Sequence, residues 1–148
     1  MATIGTLVHN RPVFAVQQDA TVFEAATYMA EKNVGAIAVL NNTRLAGIFS
    51  ERDVITRIVT KGLDPKKTPV GQVMTKNLVV ADTEEDENAC LRKMKAANCR
   101  HLPVVSGENL VGIVSLRDLL QVELTERDEK LEFLQNYLFH LSPDPPTK

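Results

Sequence analysis

The sequence predicts an α+β protein: two β-α-β-β-α repeats packed sheet to sheet about a pseudo-twofold axis, followed by a C-terminal helix. Three observations carry this. Leu45-Ala-Gly-Ile-Phe-Ser-Glu-Arg-Asp53 recurs as Leu110-Val-Gly-Ile-Val-Ser-Leu-Arg-Asp118 at an offset of 65 residues, with six of nine positions identical. Each copy contains two short apolar runs parted by a polar turn, between stretches of helical apolar periodicity. After Leu120, leucines recur at heptad spacing. The reading divides the chain into repeat 1 (3–62), a linker (63–69), repeat 2 (70–122), a C-terminal helix (123–141) and a disordered tail (142–148).

The same offset aligns Val13-Phe-Ala-Val16 with Leu78-Val-Val-Ala81 as the first strands, and Met29 with Met94 in the helices that follow. The first helix opens with a Thr21-x-x-Glu24 capping box, lays Val22, Ala25, Ala26 and Met29 on one face, and ends near Asn33-Val-Gly35. In repeat 2, Thr83 precedes Glu84, Glu85, Asp86 and Glu87, acidic groups suited to the positive end of a helix dipole, with Cys90, Met94 and Ala97 as the apolar face. Glu87 stands where repeat 1 has Val22, and His9-Asn10 where repeat 2 has Met74-Thr75.

Hairpins follow: Ala36 to Leu40 with Leu45 to Phe49 around the four polar residues Asn41–Arg44, and Leu102 to Val105 with Leu110 to Val114 around Ser106–Asn109. A second helix then sets Val54, Ile55, Ile58 and Val59 on one side and stops at Gly62. Such a unit leaves one sheet face bare, so two copies are expected to cover each other. Leu120, Leu124, Leu131, Leu134, Leu138 and Leu141 form a seam interrupted by Arg127. It suits either a dimer or packing on the protein's own surface.

Composition narrows function. With 17 Lys+Arg against 19 Asp+Glu and a pI near 5.9, no bulk basic excess exists to displace counterions, so nucleic acid is disfavoured. No apolar run reaches the roughly 20 residues of a bilayer span, and the first residues lack a basic stretch followed by an apolar one; the expected location is cytoplasmic, with no membrane partner. Cys90 and Cys99 lack CxxC spacing, and His9, His101 and His140 make no HxxxH pair. No metal site, catalytic residue or required cofactor is expected.

The repeated Gly-Ile-x-Ser-x-Arg-Asp falls where a strand enters a helix, beside free backbone N–H groups that attract anions. Ser50 and Ser115 could donate hydroxyls, Arg52 and Arg117 suit phosphate oxygens, and Asp53 and Asp118 suit ribose hydroxyls. Ser-x-x-Asp is also a helix capping box that needs no ligand. Capping alone does not explain the paired Gly-Ile and Arg, and a glycine at that place could admit a ligand to the backbone.

At Gly47-Ile-Phe-Ser-Glu-Arg-Asp53, Gly112-Ile-Val-Ser-Leu-Arg-Asp118 and Cys99-Arg-His-Leu-Pro-Val-Val105 the sequence resembles the tandem cystathionine-β-synthase (CBS) domain pair, or Bateman module, over about residues 3–122. The resemblance implies two clefts between the repeats for adenosine-type ligands (AMP, ADP, ATP, NAD(H) or S-adenosylmethionine), and disk-like homodimers. Carried over, cleft 1 takes Pro12, Val13, Phe14, Val34, Gly35 and Ala36 for the base, with Ser115, Arg117 and Asp118 for phosphate and ribose. Cleft 2 takes Asn77, Leu78, Val79, Asn98 and Cys99, with Ser50, Arg52 and Asp53 opposite, and Arg100 and His101 near phosphates. His101 reads equally as a hairpin residue satisfied by backbone, and Cys99 as a small packed hydrophobe.

The expected function is therefore non-catalytic: an adenine-nucleotide sensor that modulates an unidentified partner protein, as a homodimer. The alternative is a ligand-free structural or dimerisation module; S-adenosylmethionine or nucleic-acid binding ranks below both.

Overall fold

In the computed structural model, which describes residues 3–141, local capping chemistry starts the helices. The tail expected to be disordered (142–148) lies outside the described residues. Helix α2 (Val22–Lys32) begins at the Thr21 box: the Glu24 N–H donates to Thr21 Oγ1 at 3.1 Å and the Thr21 N–H to Glu24 Oε1 at 3.3 Å. It buries Val22, Ala25 and Met29 and ends on left-handed Asn33 (φ 55°). Helix α4 (Glu87–Ala97) repeats this, ending on Asn98 (φ 52°). Its cap is Asp86, which accepts from the Ala89 N–H at 2.9 Å, and not Thr83. Residues 82–85 turn instead on their own carboxylates, with the Asp82 N–H donating to Glu85 and the Glu84 N–H to Asp82. Ala97, expected on the apolar face, is exposed; Leu91 packs there.

Two three-stranded sheets form, β1 (Ala15–Gln17), β2 (Ala36–Asn41) and β3 (Arg44–Ser50) in one, β4 (Ala81–Asp82), β5 (His101–Ser106) and β6 (Asn109–Ser115) in the other. The first strand of each is parallel to the second, and the second antiparallel to the third. Val16 pairs with Val39 and Val39 with Gly47; Ala81 pairs with Val104 and Val104 with Gly112. The offset of 65 thus holds residue by residue, down to a bulge after Val39 and after Val104. The turns are shorter than expected: two residues each, Asn42-Thr43 and Gly107-Glu108, because Asn42 (φ 58°) and Gly107 (φ 62°) supply the positive φ of a tight hairpin turn.

The repeats exchange segments. Helix α1 (Ile4–Val8) inserts Ile4 and Val8 into the core of repeat 2, among Ala81, Cys90, Met94, Leu102, Val104, Val114 and Leu119. In return Val70 and Met74 enter the core of repeat 1, among Val22, Ala25, Met29, Ile37, Val39, Phe49 and Ile58. The backbone bonds match: Ile4 N–H to Glu85 O and Gly5 N–H to Thr83 O answer Val70 N–H to Ala20 O and Gly71 N–H to Gln18 O. These segments stand 66 apart, so Val8, not His9, occupies the place of Met74. A Cβ on Gly112 would meet the Val8 Cβ at 2.9 Å, and one on Gly47 the Met74 Sδ at 2.5 Å. The paired glycines therefore make room for the exchanged segments rather than for a ligand.

The second helices differ most. After Ser50, α3 (Glu51–Asp53) passes into a π-helical turn, Val54–Val59, closed by bonds such as Thr60 N–H to Ile55 O and stopped by Gly62 (φ 68°). Thr56 and Thr60 hydroxyls donate back to the carbonyls four residues earlier, Arg52 and Thr56. The wider winding keeps Ile58 buried but turns Ile55 and Val59 out, 59% and 67% exposed, against the expected single apolar face. In repeat 2 the corresponding helix does not stop: α5 runs unbroken from Leu116 to Leu141, so the expected boundary at 122 is not a helix boundary. Beyond its first turns Leu124, Leu131, Leu134 and Leu138 lie exposed.

Candidate functional site

Strands β3 and β6 lie against each other where the sheets meet. At one end of that junction opens a cavity of about 870 Å³. All nine residues expected at cleft 1 line it: Pro12, Val13 and Phe14 leading into β1, Val34, Gly35 and Ala36 between α2 and β2, and Ser115, Arg117 and Asp118 at the start of α5. Phe14 is held on edge against Tyr28, ring centroids 5.9 Å apart, with Lys32 Nζ 5.5 Å over its face. The cavity therefore has an apolar wall facing a helix amino terminus.

That terminus is tightly specified. The Ser115 N–H donates to Asp118 Oδ2 at 2.9 Å and the Asp118 N–H to Ser115 Oγ at 3.0 Å, while the Leu116 N–H donates to Arg100 O at 2.7 Å. The serine and aspartate do form the ligand-independent capping box. The box uses one Asp118 oxygen, and Oδ1 has no protein partner among the described residues. Arg11 Nη1 reaches Oδ2 at 2.9 Å. Partial burial alone would raise the Asp118 carboxyl, but the Arg11 guanidinium and the Ser115 N–H and hydroxyl hold it below the usual carboxylate range.

Residues expected at cleft 2 behave differently. Arg100 and His101 line this cavity, together with Arg11 and Glu51. Burial lowers the His101 pKa against the pull of the Glu51 and Asp118 carboxylates, a shift that favours the neutral imidazole. Arg52 Nη1 donates to Asn98 O at 3.3 Å, closing one expected phosphate ligand onto the loop it was to face. Ser50 and Asp53 form the same capping box (3.0 and 3.3 Å), but Asp53 is 7% exposed and its other oxygen meets Arg57 Nε at 3.5 Å. Arg57 Nη1 is itself fixed on Val73 O and Met74 O, 2.9 Å each. Cys99 packs against the repeat 2 core, and burial pushes its thiol pKa up, as a packed hydrophobe requires. Asn77 and Val79 are exposed and Leu78 half-buried.

Sequence reasoning missed Arg11, Glu51 and Leu120 in the first cavity. Arg11 directly precedes Pro12-Val-Phe14, a place that could have marked it; nothing in the sequence identifies its partner as Asp118.

The CBS domain family model matches twice, over residues 4–60 and 70–124. The chain belongs to the CBS-domain family. It is 33% identical over 125 residues to the mitochondrial CBS domain-containing protein CBSX3 of Arabidopsis thaliana, a match covering 81% of this chain and 61% of that relative; a match at 32% identity to the further Arabidopsis relative CBSCBSPB5 covers 79% of this chain and 22% of that relative. Among solved structures, a signal-transduction protein with CBS domains from Burkholderia ambifaria superimposes with a TM-score of 0.79 at 29% identity, covering 84% of this chain and 95% of that one. A Pyrobaculum aerophilum CBS domain protein complexed with AMP superimposes with a TM-score of 0.72 at 29% identity, covering 78% and 88%. No helix among the described residues of this CBS pair is long and apolar enough to cross a membrane.

Proposed function

We propose that this CBS pair is a non-catalytic adenine-nucleotide sensor. It takes AMP, ADP, ATP or NAD(H) in the cavity at Asp118 and modulates a partner protein through the packing of its two repeats. One observation carries the reading: an aromatic-lined wall, a free carboxylate oxygen and guanidinium groups converge on a single cavity, where base, ribose and phosphate each find a chemical match. The AMP complex of the Pyrobaculum relative supports the ligand class. The base packs near Val13, Phe14 and Val34. The vicinal ribose hydroxyls donate to both Asp118 carboxylate oxygens, Oδ1 and, in place of Arg11, Oδ2, and the phosphate takes Arg117, Arg100 and the helix amino terminus. The site holds groups for binding and none arranged as nucleophile and base, so turnover is not expected.

A thermal-shift panel of AMP, ADP, ATP, NAD⁺, NADH and S-adenosylmethionine on nucleotide-stripped protein tests this. A ligand at about 100 times its Kd adds roughly 2.7 kcal/mol of stability. Stabilisation by an adenine nucleotide, lost in Asp118→Ala, is the expected result; no shift with any compound overturns the reading.

A second reading, dimerisation, is favoured by α5, which exposes Leu124, Leu131 and Leu138 seven residues apart with Leu134 between. We assign this seam to a second copy of the chain, antiparallel, because parallel pairing would stack Arg127 on its own copy and set Glu123 beside Asp128. The two readings are compatible, and sedimentation of the protein with and without nucleotide separates them.

A further inference from the structure

The two copies of the Ser-x-x-Asp box end in different ion pairs. Asp53 is bonded by Arg57 from four residues along its own helix, and Arg57 is anchored on two carbonyls. Four residues after Asp118 the chain has Val122, so no cation of its own helix is in place. Its partner Arg11 comes from the segment joining α1 to β1, across the mouth of the cavity, with its side chain 41% exposed and no second acceptor among the described residues. One aspartate is paired within its own helix; the other is paired across the repeats by a part-exposed guanidinium.

We propose that Arg11 is an exchangeable latch that sets the ligand class of the cavity as 5′-phosphorylated nucleosides. The inference rests on the nucleotide reading above. In the structure Arg11 satisfies Asp118. When ribose hydroxyls take the carboxylate, the displaced guanidinium needs a new anion, and a phosphate at the helix amino terminus is that anion. An uncharged nucleoside breaks the ion pair and returns nothing. A cationic sulfonium in place of the phosphate leaves Arg11, Arg100 and Arg117 facing like charge, with Glu51 as the remaining acid of the lining. The latch also ties ligand to fold: Arg11 follows α1, which is seated in the core of repeat 2, while β1 belongs to the sheet of repeat 1.

The test is calorimetric titration of adenosine and of AMP into nucleotide-stripped wild type, Arg11→Ala and Arg11→Lys, each checked for folding by thermal melt. Arg11→Ala is expected to bind adenosine several-fold more tightly and AMP about tenfold more weakly, the scale of one charge-assisted hydrogen bond. Discrimination between the two ligands then falls by more than tenfold, and Arg11→Lys restores part of it. Equal changes for adenosine and AMP, leaving the ratio intact, make Arg11 a structural residue and overturn the latch alone. Failure of the wild type to bind either ligand overturns the nucleotide reading and the latch with it.

Discussion

The starts of the second helices, at Ser50–Asp53 and Ser115–Asp118, are the same motif made into two different things. Both close a capping box with bonds of 2.9 to 3.3 Å. Around Asp53 the polar side chains bond to the protein itself: Arg57 to Asp53 and to the carbonyls of Val73 and Met74, and Arg52 to Asn98 O. Around Asp118 the neighbours are a cavity and one cross-repeat arginine. A repeated motif therefore fixes local geometry, while the residue one turn later, Arg57 or Val122, differs, and with it where the partner of the carboxylate comes from.

The largest expected break in that comparison is between the two alanine variants. Asp118→Ala should weaken AMP by about 30-fold or more, the value of a charged hydrogen-bond partner, and cost about 1–2 kcal/mol of stability through its own lost cap; Asp53→Ala should leave AMP affinity within about threefold, read by calorimetry. The cost of Asp53→Ala appears instead in stability, about 1–3 kcal/mol from a lost cap and an unpaired Arg57. Next, Arg57→Ala should destabilise by about 1–2 kcal/mol in urea unfolding without changing nucleotide affinity, since both carbonyl bonds vanish with the ion pair.

Glu87 sharpens the contrast from another side. At its place repeat 1 buries Val22, whereas Glu87 is 7% exposed with Oε2 unpaired among the described residues. Burial, then the facing Glu126 carboxyl and the charges of Glu123 and Asp86, raise its pKa. A raised carboxyl binds its proton more strongly folded than unfolded. Its contribution is full below the unfolded pKa and is lost as pH rises through the folded one. Glu87→Gln should therefore match wild type at acidic pH and gain about 1 kcal/mol, or about 3 °C in Tm, at neutral pH. The smallest expected stability effect is that of Leu131→Glu on exposed α5: within about 0.5 kcal/mol at low protein concentration, with loss of the proposed dimer in sedimentation.

Much of this architecture is legible in the sequence because the repeat is local chemistry. The hairpin register, the bulges and the left-handed Asn33 and Asn98 all recur at 65. The nine residues expected at the first cleft come from the CBS resemblance, and all of them line the cavity. What escapes is decided by contacts distant in sequence. The five-residue helix α1 has no side-chain cap and owes its place to backbone bonds with Thr83 and Glu85. The shift from 65 to 66 in the exchanged segments, the Arg11–Asp118 pair and the lock on Asp53 all depend on that crossing. Helix α5 passes the expected boundary because no Gly or Pro stands between Leu116 and Leu141.

The central claim is that one cleft, at Asp118, is the nucleotide site and its twin at Asp53 is structural. The most direct measurement is an amide-resolved NMR titration of the isotope-labelled protein with AMP. The account expects the large shift changes at Val13-Phe14, Gly35 and Ser115–Asp118, saturating together, with Ser50–Asp53 and Asn77–Val79 nearly still. Saturating shifts centred on Ser50–Asp53 and Asn77–Val79, or none anywhere, would contradict it.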